Sequence, residues 1–328
     1  MQRRDFPALG RSIGEVGLGC WQLGRGDWPA MEDAQARAVI ASALEQGVDC
    51  FDTADVYGRG ESEERLGRFL RELGAEVVIA TKVGRFPEPG WPANFEPRAI
   101  RAHVEASLRR LRRERVELVQ LHCLPMAVLA QGEVFSTLIA LREEGKIQAF
   151  GASVESLAEA RFCLSIQGLA SLQIIFNVLR QTPREGLLEL AAKRGVAILA
   201  RLPLASGLLT GRFDAHTRFG ASDHRSFNRE GGAFHVGETF AGYELERGLS
   251  LVEALRALLP AGLTLTQLAL RWILDHPAVT CVIPGASRAE QVRENTAPSE
   301  LPPLSPALHA QLRELWSRDA KPFVRGQD

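Results

Sequence analysis

No run of eighteen consecutive apolar residues occurs in the 328-residue chain, so a membrane-spanning helix is excluded. Cysteine is sparse. Cys20, Cys50, Cys123, Cys163 and Cys281 are dispersed, with no Cys-x-x-Cys pair and no clustered Cys/His spacing of the kind that holds zinc, so no metal is expected. Free thiols fit a reducing cytoplasm. Charge of one sign is also missing: 39 Lys+Arg stand against 40 Asp+Glu, a net charge of −1, which argues against the broad basic face that nucleic acid requires. Arg3-Arg4-Asp5-Phe6 has the paired arginines of a twin-arginine leader, but Pro7, Gly10, Arg11 and Glu15 interrupt what would have to be an apolar segment. A cytoplasmic protein is expected. No Gly-x-Gly-x-x-Gly follows a strand, which leaves a Rossmann site unsupported.

What is present is globular: 45% hydrophobic and 24% charged residues, ample for a core. Eight short apolar runs, at 16–20, 48–52, 77–82, 118–122, 149–152, 172–176, 197–201 and 280–283, are each too short for a helix and are bounded by Gly, Pro or polar residues. Amphipathic stretches at 63–73, 97–111, 133–144, 156–163, 184–194, 266–275 and 289–295 fall between or after them, with a C-terminal one at 306–317. Gly47, Gly145 and Gly195 follow helix ends as C-cap glycines. Alternation of this kind predicts parallel βαβ units, and eight of them predict an α/β fold, a (β/α)8 TIM barrel, with residues 1–328 as one domain. Residues 3–15 predict a β-hairpin closing the barrel floor. Residues 213–246 lack helical periodicity and exceed an ordinary connection, which predicts a long active-site loop after the seventh strand.

In a barrel the loops after the strands build the active face, so polar residues at strand C-terminal ends point to chemistry. Asp52 and Tyr57 follow the second strand, Lys82 ends the third and His122 the fourth. Taken singly, Asp52 could cap a loop, Tyr57 pack as an aromatic and His122 serve structure. Together, neighbouring strands deliver a carboxylate, a phenol, an ammonium and an imidazole to one spot. A carbonyl that receives hydride develops negative charge on oxygen and needs such donors. A cation about 4 Å from a phenol of pKa about 10 contributes about 4 kcal/mol at an effective dielectric near 20, so Lys82 is expected to acidify Tyr57 by about three units.

This ordered set resembles the acid, tyrosine, lysine and histidine tetrad of the aldo-keto reductases. Further fragments extend the resemblance over nearly the whole chain: Gly60-Glu-Ser-Glu-Glu64, Gly151-Ala-Ser153, Gln173, Pro203-Leu-Ala-Ser-Gly-Leu-Leu-Thr-Gly211, Ile283-Pro-Gly-Ala-Ser287 and Glu294-Asn295. The resemblance implies a nicotinamide dinucleotide across the barrel mouth, with Ser153 and Gln173 on its carboxamide. It also implies contacts from Pro203, Leu204, Ser206, Gly207 and Leu209. Arg201 stands where that family usually stacks an aromatic, and a planar guanidinium stacks on rings too; the alternative is a salt-bridged arginine at the barrel top.

At the last strand, Gly285, Ser287, Arg288, Gln291, Glu294 and Asn295 open a helix suited to the adenosine end and a 2′-phosphate, so NADPH is expected over NADH. Gly285 and Gln291 replace the family's lysine and arginine, which leaves the phosphate to Arg288. Trp21 is the expected substrate wall. Trp91 is either a second wall or rim packing. The implied activity is reduction of small-molecule aldehydes or ketones, with a homo-oligomer compatible. Two other classes fit some of the residues: a Schiff-base lyase using Lys82, and an NADP-binding regulatory subunit with little turnover.

Overall fold

The computed structural model describes residues 1–326. An antiparallel hairpin opens the chain, β1 (Arg3–Phe6) and β2 (Arg11–Gly14). Eight parallel strands follow: β3 (Leu18–Gly19), β4 (Cys50–Asp52), β5 (Val78–Val83), β6 (Val116–His122), β7 (Ile147–Ser153), β8 (Ser171–Ile175), β9 (Ala197–Arg201) and β10 (Val279–Val282). Each pairs with the next in chain order. Single parallel bridges, Val16 to Val282 and Gly19 to Gly285, bring the first strand back to the last and close the barrel. Val, Ile and Leu dominate because both faces are covered; every residue of β5 is buried.

The barrel interior is filled from below by the hairpin. Phe6, Leu9 and Ile13 pack with Val78, Leu118, Leu199 and Cys281 in a core separate from the larger one between strands and helices. Arg4 fastens this plug. Its guanidinium pairs with the buried Glu15 at 2.7 Å and donates to the carbonyls of His276 (2.9 Å), Val279 (2.5 Å) and Leu274.

The expected strands and helices are found within a few residues of their places, and Gly47, Gly145 and Gly195 take positive φ. Four helices fall outside the expected set, two of them the short Met126–Gln131 and His224–Phe227. Asp33–Glu45 buries Ala36, Ser42 and Ala43 beside Val39 and Ile40, so small side chains make up most of its inner face. Leu245–Ala257 begins just inside the expected loop. Among the described residues no helix is long and apolar enough to cross a membrane.

Candidate active site

The strand C-terminal ends open into a cavity of about 420 Å³ whose wall includes Asp52, Tyr57 and His122. Lys82 lies behind it, almost wholly buried. Its ammonium donates to Asp52 Oδ1 at 2.5 Å, to the Thr53 carbonyl at 2.8 Å and to the Tyr57 hydroxyl at 3.4 Å. Local backbone fixes the tyrosine. Tyr57 opens a tight turn in which Gly58 has φ 59°, and a Cβ on Gly24 or Gly58 would strike the facing backbone at about 2.5 Å, so the first loop lies directly on that turn.

Electrostatics correct one expectation. Burial pushes the Tyr57 phenol up and outweighs Lys82, with Asp52 and Glu238 acting in the same direction as burial, so its pKa rises to about 12 instead of falling. Lys82 loses affinity for its proton through burial, but Asp52 and Tyr57 together more than restore it, and its pKa ends above the ordinary value. Burial, reinforced by Arg85, Lys82 and Arg201, holds His122 well below the usual histidine range, so its imidazole is neutral at pH 7. The phenol and imidazole rings meet edge to face, 5.8 Å between centres.

Most of the residues expected at the cofactor reach the same cavity. Ser153, Gln173, Arg201, Pro203, Leu204, Ser206 and Gly207 line it toward β7–β9, and Gly285, Ser287, Gln291, Glu294 and Asn295 line it beyond β10. Gln173 turns its amide inward to Asp52 Oδ2 at 2.6 Å and accepts from Ser153 at 3.5 Å. Gln291 accepts from Ser287 N, Ser287 Oγ and Arg288 N at 2.8–3.2 Å, which caps the helix Ala289–Thr296. Besides Lys82, three expected residues lie outside the wall. Leu209 is a core residue, Arg288 is exposed at its helix start, and Trp91 is 67% exposed against Phe95 on the rim. Trp21 does line the cavity. It stacks on Tyr57 at 5.8 Å and donates to Asp27 at 2.9 Å.

The structure adds residues that sequence reading passed over. Gln22 fills the space a Cβ on Gly285 would need, 2.3–2.6 Å from its carboxamide, and its buried Oε1 has no protein partner. Trp28 is another, and it surrounds Trp21 together with His224 and Phe234 of the long loop from which substrate contacts are expected. Glu238, from within the expected loop, reaches the wall between Arg85 and Arg201. Arg85 follows Lys82 by three positions and carried a local signal; Glu238 had none, since its partners are more than 35 residues away.

Residues 15–317 match the Aldo/keto reductase family. The chain is 32% identical to the uncharacterized oxidoreductase Rv2298 of Mycobacterium tuberculosis, over 98% of this chain and 94% of that one. It is 29% identical to the NADH-specific methylglyoxal reductase of Escherichia coli, over 87% and 90%. Among solved structures, the glycerol dehydrogenase AKR11B4 from Gluconobacter oxydans superposes with a TM-score of 0.80 at 28% identity, covering 97% of this chain and 95% of that one. With the closed eight-stranded barrel, these likenesses establish the chain as a member of the aldo/keto reductase family, an oxidoreductase that uses a nicotinamide dinucleotide.

Proposed function

We propose that the protein reduces the carbonyl of an aldehyde or ketone to an alcohol, taking hydride from NADPH in preference to NADH and a proton from Tyr57. The observation that carries this reading is the Tyr57 phenol edge to face with the His122 imidazole in one cavity wall, with the Lys82 ammonium, paired to Asp52, directly behind the phenol. The wall also suits a dinucleotide. Gln22 Oε1 and Arg201 Nε are buried polar atoms without protein partners, and Ser153, Gln173 and Asn295 add donors along its length.

When bound, the reduced cofactor supplies the hydride; the chain's residues do the rest. His122, being neutral, donates a hydrogen bond that orients the carbonyl oxygen. Charge that develops there is met by the Tyr57 proton. A phenol of pKa about 12 remains protonated at neutral pH, yet is far more acidic than an alcohol, whose pKa is comparable to the roughly 15.7 of water. Proton transfer to a nascent alkoxide is therefore downhill. Lys82 then faces the phenolate at hydrogen-bond range, and Asp52 keeps that ammonium charged. A Schiff-base role needs the opposite condition, a lysine with a lowered pKa.

For the 2′-phosphate, positive charge comes from Arg288 at the helix start and from Arg212, which reaches across to Glu294 at 3.1 Å. The Escherichia coli relative is named for NADH, so this preference is the part most open to direct measurement. NADPH absorbance followed over a panel of aldehydes, ketones and sugars tests the activity. Tyr57→Phe is expected to lose turnover by at least about a hundredfold while retaining cofactor affinity. Unchanged turnover refutes the donor. Equal affinities for NADPH and NADH, unmoved by Arg288→Ala, refute the phosphate assignment.

A further inference from the structure

Five residues from five segments meet beside the tetrad. Arg85, just past β5, donates to Glu155 Oε1 at 2.5 Å and to Glu238 Oε1 at 3.0 Å. Arg201, at the end of β9, lies 3.5 Å from the same Glu238 oxygen, donates to the Val154 carbonyl at 3.2 Å and contacts Cys123 Sγ at 3.6 Å. Of these, Arg201 and Glu238 face the cavity, each less than a tenth exposed. Glu238 is held in place: its carbonyl accepts from Ser206 Oγ at 3.0 Å and its amide donates to His235 O at 2.9 Å. Buried carboxylate and guanidinium charges interact far more strongly here than at the surface.

A nicotinamide ring is neutral when reduced and carries one positive charge when oxidised. A guanidinium in its binding wall therefore treats the two states differently. Two guanidiniums with no carboxylate would oppose the oxidised form and leave the reduced form nearly unaffected. Resting on the reading of the site given above, we propose that Glu238 sets the redox preference of the cavity: its carboxylate, shared by Arg85 and Arg201, cancels guanidinium charge that would otherwise oppose the oxidised nicotinamide. Glu238 thereby makes departure from the carbonyl-reducing state and return to it comparably accessible, and it does so without touching the carbonyl. It is an electrostatic determinant, not a catalytic residue.

The experiment is a pair of binding titrations, NADP+ and NADPH, read by quenching of the cavity tryptophans, on wild type, Glu238→Gln and Arg201→Met. The expected result for Glu238→Gln is a rise of roughly tenfold or more in the ratio of the NADP+ to the NADPH dissociation constant, the direction set by removal of one negative charge from the cavity wall. Arg201→Met is expected to lower the same ratio. If Glu238→Gln weakens both forms equally, Glu238 is merely structural and the proposal falls. If Glu238→Gln does not fold, Arg201→Met decides alone, and a ratio within twofold of wild type overturns the proposal. If wild type binds neither form, the underlying cofactor reading fails, an outcome distinct from binding with an unmoved ratio.

Discussion

Tyr57 shows what burial does to the group proposed as proton donor. The sequence supports an arithmetic of charges, a phenol and a nearby ammonium, and that arithmetic has the wrong sign because the desolvation cost depends on packing that no local motif reports. With Tyr57 at about 12 and His122 well below its ordinary range, neither group changes protonation between pH 6 and 9. Titration in that window falls to Glu155, which burial pushes up to about 7 against the pull of Arg85. Loss of its proton adds negative charge beside Arg85, Arg201 and Glu238. NADP+ affinity is therefore expected to improve as pH rises through about 7, and the inflection to vanish in Glu155→Gln; titrations at pH 6, 7 and 8 check both. His122 makes a separate prediction for stability. Its depressed pKa means the unfolded chain binds the proton more readily below about 6.5. Stability is thus lost as pH falls from that point toward the folded pKa, and His122→Gln should lose less between pH 7 and 5 in denaturant melts than wild type does.

The segment 213–246 is an element without a period. Side chains bonded to backbone hold it together, which is why hydrophobic spacing could not describe it. Asp223 caps the short helix His224–Phe227 by accepting from Arg225 N at 2.9 Å, and the Arg225 guanidinium covers Trp28 and Phe219. Asn228, fully buried, accepts from Ala233 N and Phe234 N at 3.0 Å and donates to Thr239 Oγ1 at 3.2 Å. Removing these three bonds with Asn228→Ala is expected to cost about 2–4 kcal/mol of local stability. New protease cuts within 213–246 and a raised KM for carbonyl substrates would report it, since Phe234 packs on Trp21; an unchanged digestion pattern would contradict it. The regular elements were legible because their apolar spacing is visible residue by residue. Asp33–Glu45 escaped because alanine signals a buried face only weakly.

At the scale of the whole molecule, chemistry and stability occupy opposite ends of the barrel. The tetrad was readable because its members sit at strand ends in chain order, whereas the Arg85–Glu238–Arg201 cluster joins segments that only the closed barrel brings together. The floor depends on Arg4, whose guanidinium satisfies Glu15 and three carbonyls. Arg4→Met leaves the buried Glu15 only the more distant Arg271, at 4.0 Å, and takes a donor from three carbonyls; it is expected to destabilise the fold by about 3 kcal/mol, with cofactor dissociation constants unchanged. Chemical denaturation paired with NADPH titration separates the two effects.

Lys82 is one of only four lysines in the chain, and it is sealed from solvent. The accessible amines of the other three side chains belong to Lys146, Lys193 and Lys321. Lys146 immediately precedes β7 and Lys193 ends the helix leading into β9, so both lie at the plugged end. Succinimidyl esters should consequently label the molecule without silencing it, since the amines they reach do not include Lys82.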